Sequence, residues 1–287
     1  MWKTVFLISC LVAAAFCAEE LTYEDFKKAT PLYLENDPDV QKQFPFLKME
    51  DADTRIVGGE EAVPNSRNYQ VGLYIAVGLS LGFCGGSLIS TRTVLTAAHC
   101  VDGNNAVVTM FFGAHNMPPL ASENATQIAS SNIILHPLWQ RNILLHDIAL
   151  IILNEPITLS DRIGIVDLPT QLTDSYIGET VLVSGWGRPS DSSNSISPIL
   201  REVTNEIISN YPCRLAYFGI VSPTHICLSG LNGRGTCNGD SGGPLVVNRT
   251  QIGIVSFGSG WGCAHGWPSV FARVTSYINW ITANAVW

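Results

Sequence analysis

Lysine is missing from residue 56 onward: every basic side chain in that stretch is arginine. Charge is sparse throughout, with 14% charged against 46% hydrophobic residues, and such a balance excludes a wholly disordered chain. The formal net charge of −8 excludes nucleic acid as the main partner, because phosphate backbones are bound through basic patches. Long apolar runs are equally scarce. The most continuous one, Val5 to Phe16, is too short for a bilayer, which takes about twenty apolar residues. The stretch from Ile143 to Leu153 carries His146 and Asp147, so no membrane association is expected. No Cys-x-x-Cys or His-x-x-x-His pair occurs, which argues against a structural zinc site. There is no internal repeat and no low-complexity tract.

What is present divides the chain. Lys3, the apolar stretch after it, and small residues at Ala15 and Cys17 read as a signal peptide over residues 1–17, hence a secreted, extracellular protein. Residues 18–55 hold ten acidic and five basic side chains with no sustained alternation, as a propeptide, a disordered tail or a small helical appendage would. From residue 56 the acidic and basic counts are fourteen and ten, so that part is only mildly acidic. Two of the eight cysteines, Cys10 and Cys17, fall in the signal peptide. The six that remain, an even number in a secreted chain, imply three disulfides whose pairing the spacing leaves open.

Many short β-rich runs punctuated by Gly, Pro, Asn and Ser follow Tyr69. Among them are Gln70–Ala76, Val107–Phe112, Gln127–Leu135, Ile148–Leu153, Thr180–Ser184, Glu202–Ile208, Pro244–Val247 and Gln251–Phe257. Their spacing suits closed antiparallel barrels, which leave no exposed strand edges. One C-terminal helix is expected, capped by Thr275 or Ser276, with Tyr277, Ile278, Ile281 and Ala285 on its buried face.

Three segments carry reactive side chains: Thr96-Ala97-Ala98-His99-Cys100, His146-Asp147-Ile148-Ala149-Leu150 and Gly239-Asp240-Ser241-Gly242-Gly243-Pro244. Singly, each has a plain structural explanation: a packed core histidine, a turn or cap aspartate, a flexible glycine loop. Together with Ile56-Val57-Gly58-Gly59, Cys84-Gly85-Gly86-Ser87-Leu88 and Gly185-Trp186-Gly187, in this order, they resemble the trypsin/chymotrypsin family of serine endopeptidases. The resemblance spans Ile56 to Trp287 and is nearest to arthropod digestive chymotrypsin-like proteases of collagenolytic type.

The resemblance implies an all-β fold of two packed six-stranded antiparallel barrels, roughly 56–165 and 166–274, followed by a C-terminal α-helix. It implies that Ser241 is the nucleophile, His99 the base and Asp147 the residue that orients His99. The N–H groups of Gly239 and Ser241 become the oxyanion hole. Cleavage after Arg55 by a trypsin-like protease frees the Ile56 ammonium to pair with Asp240, the activating step. Disulfides follow as Cys84–Cys100, Cys213–Cys227 and Cys237–Cys263. The specificity pocket falls on Gly235, Thr236, Gly258 and Ser269. Gly235 stands where trypsin-like members carry Asp, so cleavage after Phe, Tyr, Leu or Trp is expected. Elastase-like or broad collagenolytic specificity is the alternative, Trp261-Gly262 and Trp267 being the residues able to fill the slot. A catalytically inactive homologue serving as a binding protein is a further alternative, disfavoured by the complete trio. Ser256-Phe257-Gly258 corresponds to the edge that binds substrate backbone. No cofactor or metal is implied: Ala114 stands where calcium-binding members carry a carboxylate, and Pro268 where sodium-regulated members carry Tyr. Protein and peptide substrates, protein inhibitors, a monomeric state and a gut-lumen setting follow by the same analogy. His115, His136, His225 and His265 read as surface or turn residues, and Asn124 and Asn248 head glycosylation sequons.

Overall fold

The computed structural model describes residues 30–31, 59–231, 235–259, 263 and 266–287. The expected signal peptide, most of the expected propeptide, Arg55, Ile56, Trp261-Gly262 and His265 lie outside them. Strand β3 (Gln70–Val77) shows how the sequence builds the fold, for its first six residues are all buried. Val71, Leu73 and Ile75 alternate into one core, whereas Tyr74, on the opposite face, packs edge-on against Phe83 and Phe111 in a second cluster around Trp186. A strand covered on both faces belongs to a barrel wall packed against something else, and here that is a second barrel.

The first sheet consists, besides β3, of β4 (Ser80–Ser90), β5 (Thr93–Thr96), β6 (Val107–Phe112), β7 (Thr126–Ser130), β8 (Ile133–Leu135) and β9 (Ala149–Ile152). It runs β7-β6-β3-β4-β5-β9-β8. A two-residue segment ahead of the family-like region, β1 (Thr30–Pro31), pairs in parallel with Gly82 and Phe83 of β4. The second sheet comprises β10 (Thr180–Gly185), β11 (Arg201–Ile208), β12 (His225–Leu228), β13 (Pro244–Val247), β14 (Thr250–Phe257) and β15 (Ser269–Arg273). It runs β10-β13-β14-β15-β12-β11 and closes through a β10–β11 ladder. Short β2 (Glu60–Glu61) joins it on β11. The architecture is the expected pair of barrel-like sheets, the second closed on six strands and the first augmented by short ones. The α-helices among the described residues are short: α1 (Ala98–Val101), α2 (Asn210–Ala216) and α3 (Ile278–Asn284).

Two local expectations change. The run 127–135 is divided into β7 and β8 at Ser131 and Asn132, just after Ser130, whose hydroxyl donates to the Ile152 carbonyl at 2.7 Å and accepts from the Asn132 N–H, a local turn that competes with strand continuation. Near the C-terminus, Val274–Ser276 form a 3-10 turn before α3, which has no side-chain cap, so neither Thr275 nor Ser276 caps it. Helix α3 is held instead by burial of Ile281 in the first core and by Val286, whose N–H and carbonyl both bond the Thr93 hydroxyl at 2.9 Å. Among the described residues no helix is long and apolar enough to cross a membrane.

The barrels are joined by buried polar bonds. Ser184 of β10 donates to Gln70 of β3 at 2.7 Å, and Ser87 of β4 donates to Gln251 of β14 at 2.6 Å. In a low-dielectric seam such bonds fix relative position, because a shift would strand each donor. The loops that carry reactive side chains meet along this seam.

Candidate active site

His99 lies in α1, a single helical turn entered directly from β5. The Cys84–Cys100 disulfide ties that turn to β4. Asp147 approaches on the loop before β9 and is fully buried. Its Oδ1 accepts the His99 backbone N–H at 2.9 Å, and its Oδ2 faces His99 Nδ1 at 2.8 Å. The Ser256 hydroxyl of β14 donates to the same Oδ2 at 2.6 Å. Burial alone would push the Asp147 carboxyl upward. The adjoining His99 ring and the donated hydrogen bonds outweigh it and hold the group below the ordinary aspartate range. Asp147 is therefore a fixed anion, and the Nδ1 proton of His99 points to it, leaving Nε2 available as an acceptor.

The same loop is clamped to α1 from outside. Asp102, which ends α1, accepts from Trp139 Nε1 at 2.8 Å and from the Arg141 guanidinium. Arg141 also reaches the His99 carbonyl at 3.4 Å.

Ser241 sits on a glycine-rich turn between the Cys237–Cys263 disulfide and β13. Its carbonyl accepts the Gly85 N–H at 2.7 Å, a direct bond to the first barrel. Gly242 has φ +78, and a Cβ there would lie 2.2 Å from Thr96 Oγ1 and 2.5 Å from the Gly85 carbonyl. Only glycine allows the turn to lie against the segment leading into His99. The Ser241 hydroxyl is buried and unpartnered among the described residues, and the N–H groups of Gly239 (φ +98) and Ser241 have no acceptor there either. His99 Nε2 lies 3.7 Å from Cys100 Sγ. The Ser241 and His99 loops are packed together without a Ser–His hydrogen bond, and bonds of that kind commonly tighten only when a substrate binds. An unpartnered hydroxyl beside two unpartnered N–H groups can attack a carbonyl and stabilise the oxyanion that results.

Asp240 is buried beneath this turn, accepting from the Gly187 N–H at 2.8 Å and the Cys237 N–H at 3.0 Å. A Cβ at Gly185 would lie 2.2 Å from its Oδ1 and one at Gly187 2.4 Å from its Cγ, so the Gly-Trp-Gly segment is shaped around this carboxyl. Burial raises Asp240 to about 6, the two N–H bonds only partly opposing the shift, and among the described residues no cation is paired with it.

Of the expected pocket residues, Gly235 and Ser269 come together: a Cβ at Gly235 would lie 2.9 Å from Ser269 Oγ, which also accepts the Thr236 N–H at 3.2 Å. Thr236 is buried, and Gly258 follows directly on β14. Strand β13 pairs with β14 only to Ile254, so Ser256–Gly258 run on past its end. Phe257 turns its ring inward, edge-on to Tyr217 at 5.4 Å, and Trp267 packs on that same tyrosine. The third bridge is Cys213–Cys227. Cys84, His99 and Cys100 cluster as metal ligands do, and so do Asp191, Cys237 and Cys263, but all four sulfurs are spent in disulfides. Asn124 and Asn248 are exposed.

The histidines expected at the surface divide. His115 pairs with Glu61 at 2.9 Å, and His136 is half-buried, stacked on His146. His225 contradicts the expectation: it is 1% exposed, inside β12, because it shares a fully buried strand with Ile226-Cys227-Leu228 that pairs along its whole length with β15. The bond from Ser256 to Asp147 has no counterpart in the sequence motifs. It depends on register between two barrels, which no local pattern encodes.

A profile of the Trypsin family matches residues 56–281. The chain is 46% identical to brachyurin of Leptuca pugilator, covering 79% of this chain and 96% of the relative. It is 42% identical to chymotrypsin of Phaedon cochleariae, over 83% of this chain and 84% of the relative. Among solved structures, HL collagenase superposes with a TM-score of 0.72 at 36% identity, covering 79% of this chain and 97% of that one.

Proposed function

The chain belongs to the trypsin family of serine endopeptidases, and from that premise we propose a secreted precursor, activated by cleavage after Arg55, that cuts peptide bonds following large apolar residues. The observation that carries this reading is the buried relay from Ser256 through Asp147 to His99, set against the Ser241 turn. In the proposed reaction Ser241 Oγ attacks the scissile carbonyl and gives its proton to His99 Nε2. The Asp147 anion steadies the imidazolium, and the N–H groups of Gly239 and Ser241 receive the oxyanion. His99 then protonates the leaving amine, and water repeats the sequence to release the acyl group. None of these steps calls for a cofactor.

Activation is assigned to Asp240. A buried carboxyl lifted to about 6 is poorly matched to its surroundings, and the ammonium freed at Ile56 would supply the missing partner. A trypsin-like protease is the activator that Arg55 calls for. Secretion, a monomeric state, control by protein inhibitors, a digestive role in a gut lumen and glycans on Asn124 and Asn248 complete the reading.

The uncharged Gly235–Ser269 floor supports cleavage after Phe, Tyr, Leu or Trp. A broader collagenolytic specificity is the second reading, favoured by the likeness to brachyurin and to HL collagenase. Trypsin-treated protein assayed on peptides varied at the residue before the scissile bond tests both. Preference for Phe over Arg and Ala is expected, with organophosphate labelling at Ser241. Arg outcompeting Phe would overturn the specificity, and a trypsin-cut protein that neither labels nor hydrolyses would overturn the function.

A further inference from the structure

The loop that delivers Asp147 contains two non-glycine residues in the left-handed region, Leu144 at φ 56 and His146 at φ 58. Side chains with a Cβ occupy that region only where neighbours hold them. His146 has such neighbours: its Nδ1 lies 3.3 Å from the Tyr277 hydroxyl, and its ring stacks on His136 at 5.0 Å between centroids. Leu144 closes the 3-10 turn Arg141–Ile143 through its N–H to the Arg141 carbonyl, and its further restraint comes from the other barrel. Its side chain is fully buried among Cys213, Tyr217, Val221, Cys227, Phe257 and Val270, and its carbonyl lies 3.1 Å from His225 Nε2.

We propose that His225 is a positioning residue for Asp147, holding the Leu144 carbonyl so that the left-handed turn presents the carboxylate to His99. This rests on the reading of His99, Asp147 and Ser241 as the catalytic trio. The partners of His225 fix its protonation. The Leu144 carbonyl can only accept, so Nε2 carries the proton, while Nδ1 accepts from the Ser222 N–H at 3.0 Å. The backbone is equally fixed, because the His225 carbonyl accepts from Asn210 Nδ2 at 2.9 Å and Arg273 Nε at 3.0 Å. The charged or titratable groups facing it are Asp147 and His146 on the catalytic loop and Arg273 on β15. Burial outweighs these and the hydrogen bonds, lowering His225 to about 4, so a neutral donor is retained across the range in which such an enzyme works. The ring also meets Phe257 edge-on at 5.7 Å, and Phe257 adjoins Ser256, the second hydrogen-bond partner of Asp147 Oδ2. His225 therefore braces Asp147 along two routes, through the Leu144 turn and through β14.

The test compares His225→Met, His225→Gln and His225→Asn with the unsubstituted protein, all as full chains activated by trypsin. Methionine fills the space without a donor, glutamine keeps an N–H near the Nε2 position, and asparagine is polar but too short to reach Leu144. Measurements are kcat and KM on a chromogenic peptide and the low-field proton resonance of His99 Nδ1. His225→Met is expected to lower kcat by about 10- to 100-fold, as small misplacements of catalytic groups do, with KM little changed. Its low-field resonance should broaden or move upfield, and His225→Gln should recover most of kcat. A folded His225→Met protein with kcat within about twofold of the parent and an unchanged resonance would overturn the proposal. Should the methionine protein not fold, equal kcat for the glutamine and asparagine proteins would overturn it instead. An inactive parent would count against the proposed function itself, whereas an active parent with indifferent variants counts only against the role of His225.

Discussion

Asp240→Asn in the uncut chain separates the cost of a buried charge from its use. In the uncut chain Ile56 is peptide-bonded and has no ammonium to offer, so among the described residues Asp240 relies on two backbone N–H groups, closely faced by Gly185 and Gly187. Its carboxyl is raised from 3.8 to about 6, a difference worth about 3 kcal/mol. Between those values the folded chain holds a proton that the unfolded chain has lost. The stabilisation is thus complete below pH 3.8, declines as pH rises toward 6, and is gone above it. Asparagine has nearly the same shape and does not titrate. The comparison is thermal unfolding of two Ser241→Ala precursors, with and without Asp240→Asn, neither able to digest itself under this mechanism. The precursor that keeps Asp240 should lose about 3 kcal/mol relative to the Asp240→Asn one between pH 4 and pH 7. For a domain of this size that corresponds to roughly 6–12 °C in Tm. Trypsin cleavage should abolish the difference or reverse it, because the Ile56 ammonium then favours the charged carboxylate. A gap between the two precursors that stays constant with pH would refute the argument, as would one untouched by cleavage.

Three further substitutions probe the site. Ser256→Ala removes a 2.6 Å hydrogen bond to a buried anion; it should lower stability by about 2 kcal/mol in urea titrations and reduce kcat/KM about tenfold. Gly242→Ala places a methyl 2.2 Å from Thr96 Oγ1 on a backbone at φ +78. It should cut organophosphate labelling of Ser241 by about 100-fold while the rest of the fold melts within a few degrees of the parent. Gly235→Asp crowds Ser269 and sets a carboxylate in the floor, so kcat/KM for Phe before the scissile bond should fall about 10- to 100-fold while Arg substrates gain.

The fold was largely legible because its strands are short, β-rich and bounded by turn residues, as Val107–Phe112 and Pro244–Val247 show with unchanged limits. The 127–135 run misled because the Ser130 hydroxyl, bonded to Ile152 and Asn132, turns the chain directly after β7, which a run of strand-like residues does not announce. Helix α2 went unforeseen, having Pro212 within it, one buried residue and no side-chain cap. Within the candidate site, His99, Asp147 and Ser241 stand out through local motifs. Ser256 stands out only as part of the Ser256-Phe257-Gly258 edge; its bond to Asp147, like that of His225 to Leu144, does not, since each reaches a residue more than 80 positions away.

That contrast has a physical basis. A nucleophile turn must be built locally, from glycines that tolerate positive φ and close backbone approach, so it leaves a mark in consecutive residues. An orienting residue only has to arrive in the right place, and any element of the fold can bring it. Asp147 is reached by His99 from its own barrel, by Ser256 from the other, and indirectly by His225 through Leu144. Three hydrogen bonds converge on one buried carboxylate, two of them from His99 itself, and together with the charge interaction they outweigh its desolvation. Asp240, with two N–H donors and no described cation, does not reach that balance. One of these two buried aspartates is held as an anion by its donors and the other lacks a described counter-charge, and under the proposed activation a single backbone cut would supply that counter-charge.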